Sequence, residues 1–147
     1  MIHISIAQQT LTYQGKTYAI SSAKNGVGEV EGSYCTPRGE FSIAQKIGEG
    51  LPMGSVLVAR EPTGEIYHQD LNEQYPHRDW ILTRILWLEG LEAHNANTKS
   101  RYIYIHGSPD EILMGAPGSK GCIRMHNGDM IELFDLVHAG ERVVIEE

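Results

Sequence analysis

Residues 2–21, IHISIAQQTLTYQGKTYAIS, alternate apolar and polar side chains with a period of two, and no other feature constrains the fold more tightly. That period places successive side chains on opposite faces of an extended strand. Gln14-Gly15 breaks the pattern where a turn belongs, so the segment predicts a strand pair folded at that dipeptide.

The same pattern recurs along the chain. Asn25-Gly26-Val27-Gly28 is a glycine-rich connection, and CTPRGEFSI (35–43) combines turn chemistry with a further extended segment. SVLVAR (55–60) predicts a buried strand. Residues 61–79 are polar and hold Pro62, Gly64 and Pro76, which predicts a long surface loop. WILTRILWL (80–88) fits a strand, although periodicity alone also admits a short helix. RYIYIHG (101–107) is the clearest strand, with Tyr102, Tyr104 and His106 on one face and Ile103 and Ile105 on the other. The period then changes. Met130, Leu133, Phe134 and Val137 follow helical spacing, which predicts an amphipathic helix capped by Asn127 and ended by Gly140. ERVVIEE returns as a final strand. The expectation is one domain spanning residues 1–147, mainly β with one or two short helices.

The chemistry concentrates between Tyr102 and Asn127. His106 ends a strand and precedes Gly107, Ser108 and Pro109, an edge from which functional side chains are often presented. Cys122 lies sixteen positions later, in the stretch GSKGCIRMHN. Gly121 before it permits positive φ or close approach to a ligand. An imidazole can take the proton of a thiol, and Lys120 or Arg124 would stabilise the anion, as would the N-terminus of the helix opening at Asn127 if the fold brings it to the sulfur. In that reading the N–H groups of Gly121 and Cys122 face a developing oxyanion, and Arg124 offers a fork for a carboxylate. Taken singly, each residue has a plainer reading. A lone cysteine is more often a small buried hydrophobe, and a histidine here could satisfy a strand-end carbonyl. Zinc is a further alternative, with His106, Cys122 and His126 as ligands, but the spacing matches no familiar zinc pattern. With only Cys35 and Cys122, the chain is no disulfide scaffold.

The sequence His106-Gly107 followed by Ser119-Lys120-Gly121-Cys122-Ile123-Arg124 resembles the L,D-transpeptidase (YkuD-type) catalytic domain family. Its hallmark is a histidine followed by Ser-His-Gly-Cys, often continued by Ile/Val-Arg. The TPRGEF block, ILTRILWLEGLE, RYIYIHG and the tail HNGDMIELFDLVHAGERVVI extend the resemblance over most of the chain. The order, histidine before cysteine, also agrees, whereas papain-like peptidases reverse it. The resemblance implies a β-sandwich-like fold with a packed helix and a reaction on peptidoglycan stem peptides. Cys122 would attack the carbonyl of the third residue, usually meso-diaminopimelate, and expel terminal D-alanine through a thioester. His106 would be base and then acid, and the backbone at Gly107 would orient its ring. Ser119 and Gly121 would shape the oxyanion region, Arg124 would contact the donor peptide, and no metal or organic cofactor is implied. One letter departs from the pattern: Lys120 stands where the family usually has histidine, so it would steady the thiolate, meet a substrate carboxylate, or only point to solvent.

A net charge of −7 with no basic stripe argues against a nucleic-acid partner, and no apolar run approaches a membrane span. The N-terminal residues show no secretory signal, so the expected location is cytoplasmic, or periplasmic if a leader has been removed. In the cytoplasm water is the abundant acceptor, which favours an L,D-carboxypeptidase acting on recycled murein peptides. Transpeptidation or D-amino-acid exchange is the runner-up, a non-catalytic stem-peptide binder is the reading from another class, and the oligomeric state stays open.

Overall fold

The structure, a computed structural model, describes all 147 residues. Ten strands follow in chain order: β1 (Ile2–Ser5), β2 (Thr10–Tyr13), β3 (Lys16–Ser21), β4 (Gly39–Ile47), β5 (Ser55–Val58), β6 (Glu61–Ile66), β7 (Ile81–Gly90), β8 (Tyr104–Ser108), β9 (Ile123–His126) and β10 (Arg142–Glu146). Two helices interrupt them, α1 (Gln69–Gln74) and α2 (Asn127–Leu136), with a single 3₁₀ turn at Ala93–Asn95. All ten strands belong to one hydrogen-bonded sheet, in the order β4-β10-β1-β2-β3-β9-β8-β7-β5-β6. Because β4 also pairs with β7, eight of them close on themselves and the β5–β6 hairpin hangs off β7. The two facing layers are therefore one curled sheet. No helix is long and apolar enough to cross a membrane.

Between β2 and β3, Gln14 (φ 49°) and Gly15 (φ 80°) form the expected hairpin turn, both left-handed as a two-residue loop of this kind requires. The alternation places Ile2, Ile4, Leu11, Tyr13, Tyr18 and Ile20 in the core. Residues 61–79 differ from expectation, since they contain β6 and α1 and not only loop. A second left-handed turn, Ala59 (φ 48°) and Arg60 (φ 67°), folds β6 back on β5 without a glycine or asparagine to announce it. Arg60 is held at that tip by its guanidinium, 4.9 Å from the Trp87 ring and 5.0 Å from the Tyr102 ring, and by a 3.1 Å hydrogen bond to the Tyr104 hydroxyl. Almost every β6 side chain is exposed, so its composition reads as loop.

Residues 81–90 are a strand and not a helix, with a bulge that leaves buried Thr83 at φ 76°. The strand at 101–107 is shorter than its pattern suggests, because Tyr102 (φ 58°) turns the chain just before β8. The predicted faces nonetheless stand. Ile103 and Ile105 join the main core while Tyr104 and His106 point away from it.

Helix α2 buries Met130, Leu133 and Phe134 in that same core, with Val137 just beyond its end. Its boundaries need correcting. His126 is the N-cap residue and Asn127 is already helical, its side chain accepting a hydrogen bond from the Thr83 hydroxyl at 2.7 Å and capping nothing. The helix stops at Leu136, where Lys46 donates to the carbonyls of Phe134 and Val137 at 2.7 Å each and satisfies its C-terminal end. Gly140 (φ 91°) shapes the turn into β10 instead.

Candidate active site

Strands β8 and β9 lie parallel, with Ile105 opposite Ile123 and His106 opposite Arg124. On the face away from the core, the alternation lines up Tyr104, His106 and Ser108 beside Arg124 and His126, with Cys122 at the mouth of β9. His106 and Cys122 are thus diagonal neighbours on adjacent strands, a spacing of about 7–8 Å between Cα atoms. They make no hydrogen bond to each other. The Cys122 thiol instead donates to the Tyr102 carbonyl at 3.4 Å and accepts from the Tyr104 N–H at 3.3 Å.

The imidazole of His106 is buried, and its Nδ1 lies 2.6 Å from the Gly107 carbonyl. That carbonyl can only accept, so Nδ1 carries the proton and Nε2 presents a lone pair. Burial lowers the proton affinity of His106 below the ordinary 6.5, the Gly107 bond and Asp79 pull it back up, and Arg124 pushes it further down. Gly107 is fixed by crowding. A Cβ there would collide with Asn127 Oδ1 and lie 2.6 Å from the Leu82 carbonyl.

Burial keeps Cys122 protonated at rest. Burial pushes its pKa from 9.0 to about 12, while the Tyr104 N–H, Arg124 and Arg101 act in the opposite direction and Asp79 reinforces the rise. The helix dipole does not help, because β9 carries the chain roughly 13 Å from Cys122 before α2 begins. Lys120 is exposed and takes no part in the hydrogen bonds of the sulfur. The resting pair is a neutral thiol and a neutral imidazole.

Ser119 and Gly121 spend their polar groups inside the turn that presents Cys122. The Ser119 hydroxyl is buried and donates to the Cys122 carbonyl at 2.5 Å while accepting from the Gly121 N–H at 3.2 Å. It staples the turn, and it uses up the Gly121 donor. Gly121 adopts φ 129° and its carbonyl accepts from the Thr36 hydroxyl at 2.9 Å. The Cys122 N–H makes no hydrogen bond, which leaves it as the donor able to meet an oxyanion. Arg124 reaches Asp79 at 3.5 Å and the Gly118 carbonyl at 3.1 Å. Asp79, in the segment before β7, was not singled out by the sequence, and only its acidic character beside Trp80 could have marked it. Thr36 lies in the TPRG block. The three side chains proposed for zinc do not converge, since no three His, Cys, Asp or Glu side chains cluster at metal-binding reach.

Two recesses flank this face. One of about 180 Å³ adjoins Tyr102, Ile103 and Lys120. Another of about 290 Å³ lies beyond the far end of β8, lined by Tyr67, His68, Asp110 and Glu111 among others.

The buried His106, its Nδ1 held by the Gly107 carbonyl, thus lies diagonally from Cys122 at the entrance to β9. The sequence profile of the YkuD L,D-transpeptidase catalytic domain matches residues 1–145. The chain belongs to that family. It is 35% identical over 97 residues to "Putative L,D-transpeptidase YkuD" of Bacillus subtilis (strain 168), covering 65% of this chain and 50% of that protein. It is 33% identical over 112 residues to "Putative L,D-transpeptidase YqjB" of the same organism, covering 76% and 52%. The chain spans about half the length of these curated relatives. Among solved structures, L,D-transpeptidase 3 from Mycobacterium tuberculosis, in complex with a faropenem-derived adduct, superposes with a TM-score of 0.60 at 17% identity. That match covers 99% of this chain and 59% of the other. An L,D-transpeptidase from Xylanimonas cellulosilytica DSM 15894 gives 0.59 at 21% identity, with 99% and 59% covered. At these identities the likeness shows the sheet-dominated fold.

Proposed function

We propose that this chain is a cysteine acyltransferase that cleaves peptidoglycan stem tetrapeptides between the third residue, meso-diaminopimelate, and terminal D-alanine. The observation that carries the reading is the 2.6 Å bond from His106 Nδ1 to the Gly107 carbonyl, which leaves a bare Nε2 on the sheet face that Cys122 borders. Nε2 takes the thiol proton as sulfur attacks the carbonyl carbon, and the Cys122 N–H meets the oxyanion. Collapse of the tetrahedral intermediate breaks the C–N bond, His106 protonates the leaving amine, and Cys122 keeps the acyl group as a thioester. Activation waits for substrate, because the resting thiol is protonated and its bonds run to Tyr102 and Tyr104. Catalytic contacts often tighten only in the bound complex. Arg124, already within reach of one carboxylate at Asp79, would exchange it for one on the donor peptide.

Water is the favoured second acceptor, making the chain an L,D-carboxypeptidase. Wherever soluble murein peptides are recycled, water is the abundant acceptor, and that abundance supports hydrolysis. The reading carries with it a cytoplasmic role on recycled murein peptides, which fractionation of the native protein into the envelope would overturn. Transfer to an amine is the second reading, favoured by the acidic recess at Asp110 and Glu111, which would attract a cationic acceptor. Incubation with a disaccharide tetrapeptide, with and without a D-amino acid, separates the two by product mass. Tripeptide in both arms supports hydrolysis, and dominance of the exchange product overturns it. Loss of both products in Cys122→Ala tests the nucleophile.

A further inference from the structure

Ala23 and Ser119 form a parallel bridge outside the named strands, and the Lys24 N–H donates to the Ser119 carbonyl at 2.9 Å. Both bridge residues point inward and are buried. The next residue on each side is a lysine: Lys24 lies in the turn closed by the Gly26 N–H on the Ala23 carbonyl at 3.0 Å, and Lys120 directly follows the bridge. Both are exposed and line the same cleft of about 420 Å³, with Asn25, Tyr34, Gly118 and Ser119 as its other walls. Like charges on the walls of one cleft repel. In a chain with 19 acidic residues and a net charge of −7, an acid would be expected to relieve them. None does. Neither ammonium takes part in an ion pair or a hydrogen bond, and Glu31, in the recess next door, is not within ion-pair distance of either. A cleft that carries two unrelieved cations, Lys120 only two residues from Cys122, keeps a local conflict of the kind that marks functional positions.

We propose that Lys24 and Lys120 form a carboxylate-binding site that selects donor peptides carrying a free acid over their amidated counterparts. The inference rests on the proposed function and names the substrate chemistry which that site prefers. Two ammonium groups across one cleft give a carboxylate a charge-assisted bond from each side, whereas a neutral amide leaves their repulsion uncompensated. Lys120 departs from the histidine usual in the family, and Lys24 is its partner through the bridge. The pair serves recognition and not the thiol, whose hydrogen bonds run to Tyr102 and Tyr104.

The test is calorimetric titration of the full Cys122→Ala chain with the tetrapeptide and with mono-amides in which each free carboxylate is capped in turn. One mono-amide should bind about tenfold more weakly than the free acid, identifying the carboxylate concerned, and the gap should shrink in high salt. In the Lys24→Gln/Lys120→Gln double variant that gap should close, with affinity for the discriminating amide unchanged. The same double variant should melt no lower than the parent, because a repulsion is removed. Equal binding of all the peptides, or a gap that survives in the double variant, overturns this proposal and leaves the proposed function standing. Binding of none of them overturns both, and carbapenem acylation of the wild-type Cys122, read by intact mass, then separates loss of peptide recognition from loss of the nucleophile.

Discussion

Two side chains at the centre of this site are tuned away from charge, and that tuning has measurable consequences. With the Cys122 pKa pushed by burial from 9.0 to about 12, little thiolate exists near neutrality. The rate of alkylation of Cys122 by iodoacetamide, followed by peptide mapping, should therefore be slow at pH 7 and still be climbing above pH 9. A plateau near neutrality would show a pre-formed thiolate pair instead. His106 is depressed below 6.5, so the base form survives into mildly acid solution and the acid limb of kcat/KM should lie below that value. Asp79 gives a finer handle, because its carboxylate raises the proton affinity of both groups while pairing with Arg124 at 3.5 Å. Asp79→Asn should move the acid limb lower still and speed Cys122 alkylation at a given pH. Since the Asp79 side chain is 41% exposed, the shift should fade as salt is raised. An acid limb that moves upward would remove Asp79 from this role.

The elements around the site act as a clamp on these residues. The bulge in β7 sets Thr83 in a left-handed conformation, Thr83 donates to Asn127 at the start of α2, and Gly107 of β8 lies under both. Gly107→Ala forces Asn127 and the Leu82 backbone apart. It should destabilise the fold by about 1–3 kcal/mol, the usual range for overpacking, read from urea unfolding. It should also cut kcat far more than KM, because the carbonyl that fixes the His106 tautomer moves with it. Ser119→Ala removes two hydrogen bonds from the 119–122 turn and should cost a similar amount, with Cys122 no longer held against Tyr102 and Tyr104. Parental kcat in either variant would show that the clamp does not position the proposed catalytic pair. How much of this was legible in the sequence depended on whether a side chain or the backbone carried the information. The Gln14-Gly15 hairpin was readable because its turn uses glycine, and the Ala59-Arg60 hairpin was not, because its left-handed tip is held by Arg60 stacking on Trp87 and Tyr102. His106 and Cys122 stood out as letters. The groups that hold the thiol, the Tyr102 carbonyl and the Tyr104 N–H, are backbone atoms that any residue supplies, so no letter encodes them. The helix dipole was invoked from proximity along the chain, and the extended course of β9 defeats it.

At the scale of the whole molecule, the closed sheet is what keeps both groups neutral. β10 joins β4 to β1 and β4 joins β7, so the strands carrying the site cannot splay without opening the core at Phe41, Val143 and Ile145. Burial of His106 and Cys122 is then a property of the folded state as a unit, and it should appear in stability against pH. For His106 the folded pKa lies below the unfolded 6.5, so its contribution is complete above 6.5 and is lost as pH falls toward the folded value. For Cys122 the folded pKa is raised, so its contribution is complete below about 9 and is lost as pH rises toward 12. Glu65, held below the carboxylate range by Arg78, and Glu132, held down by Lys16 and Tyr18, lose theirs only below 4.5. Urea midpoints measured across pH should consequently form a plateau between about 6.5 and 9, with a first acid loss beginning well before the carboxylates titrate. His106→Gln should delay that acid loss to below 4.5, and Cys122→Ala should extend the plateau on the alkaline side. If the wild-type midpoint were flat from 6.5 to 4.5, or if Cys122→Ala left the alkaline fall unchanged, the two groups would be solvated in the folded chain and the substrate-triggered proton transfer would lose its basis.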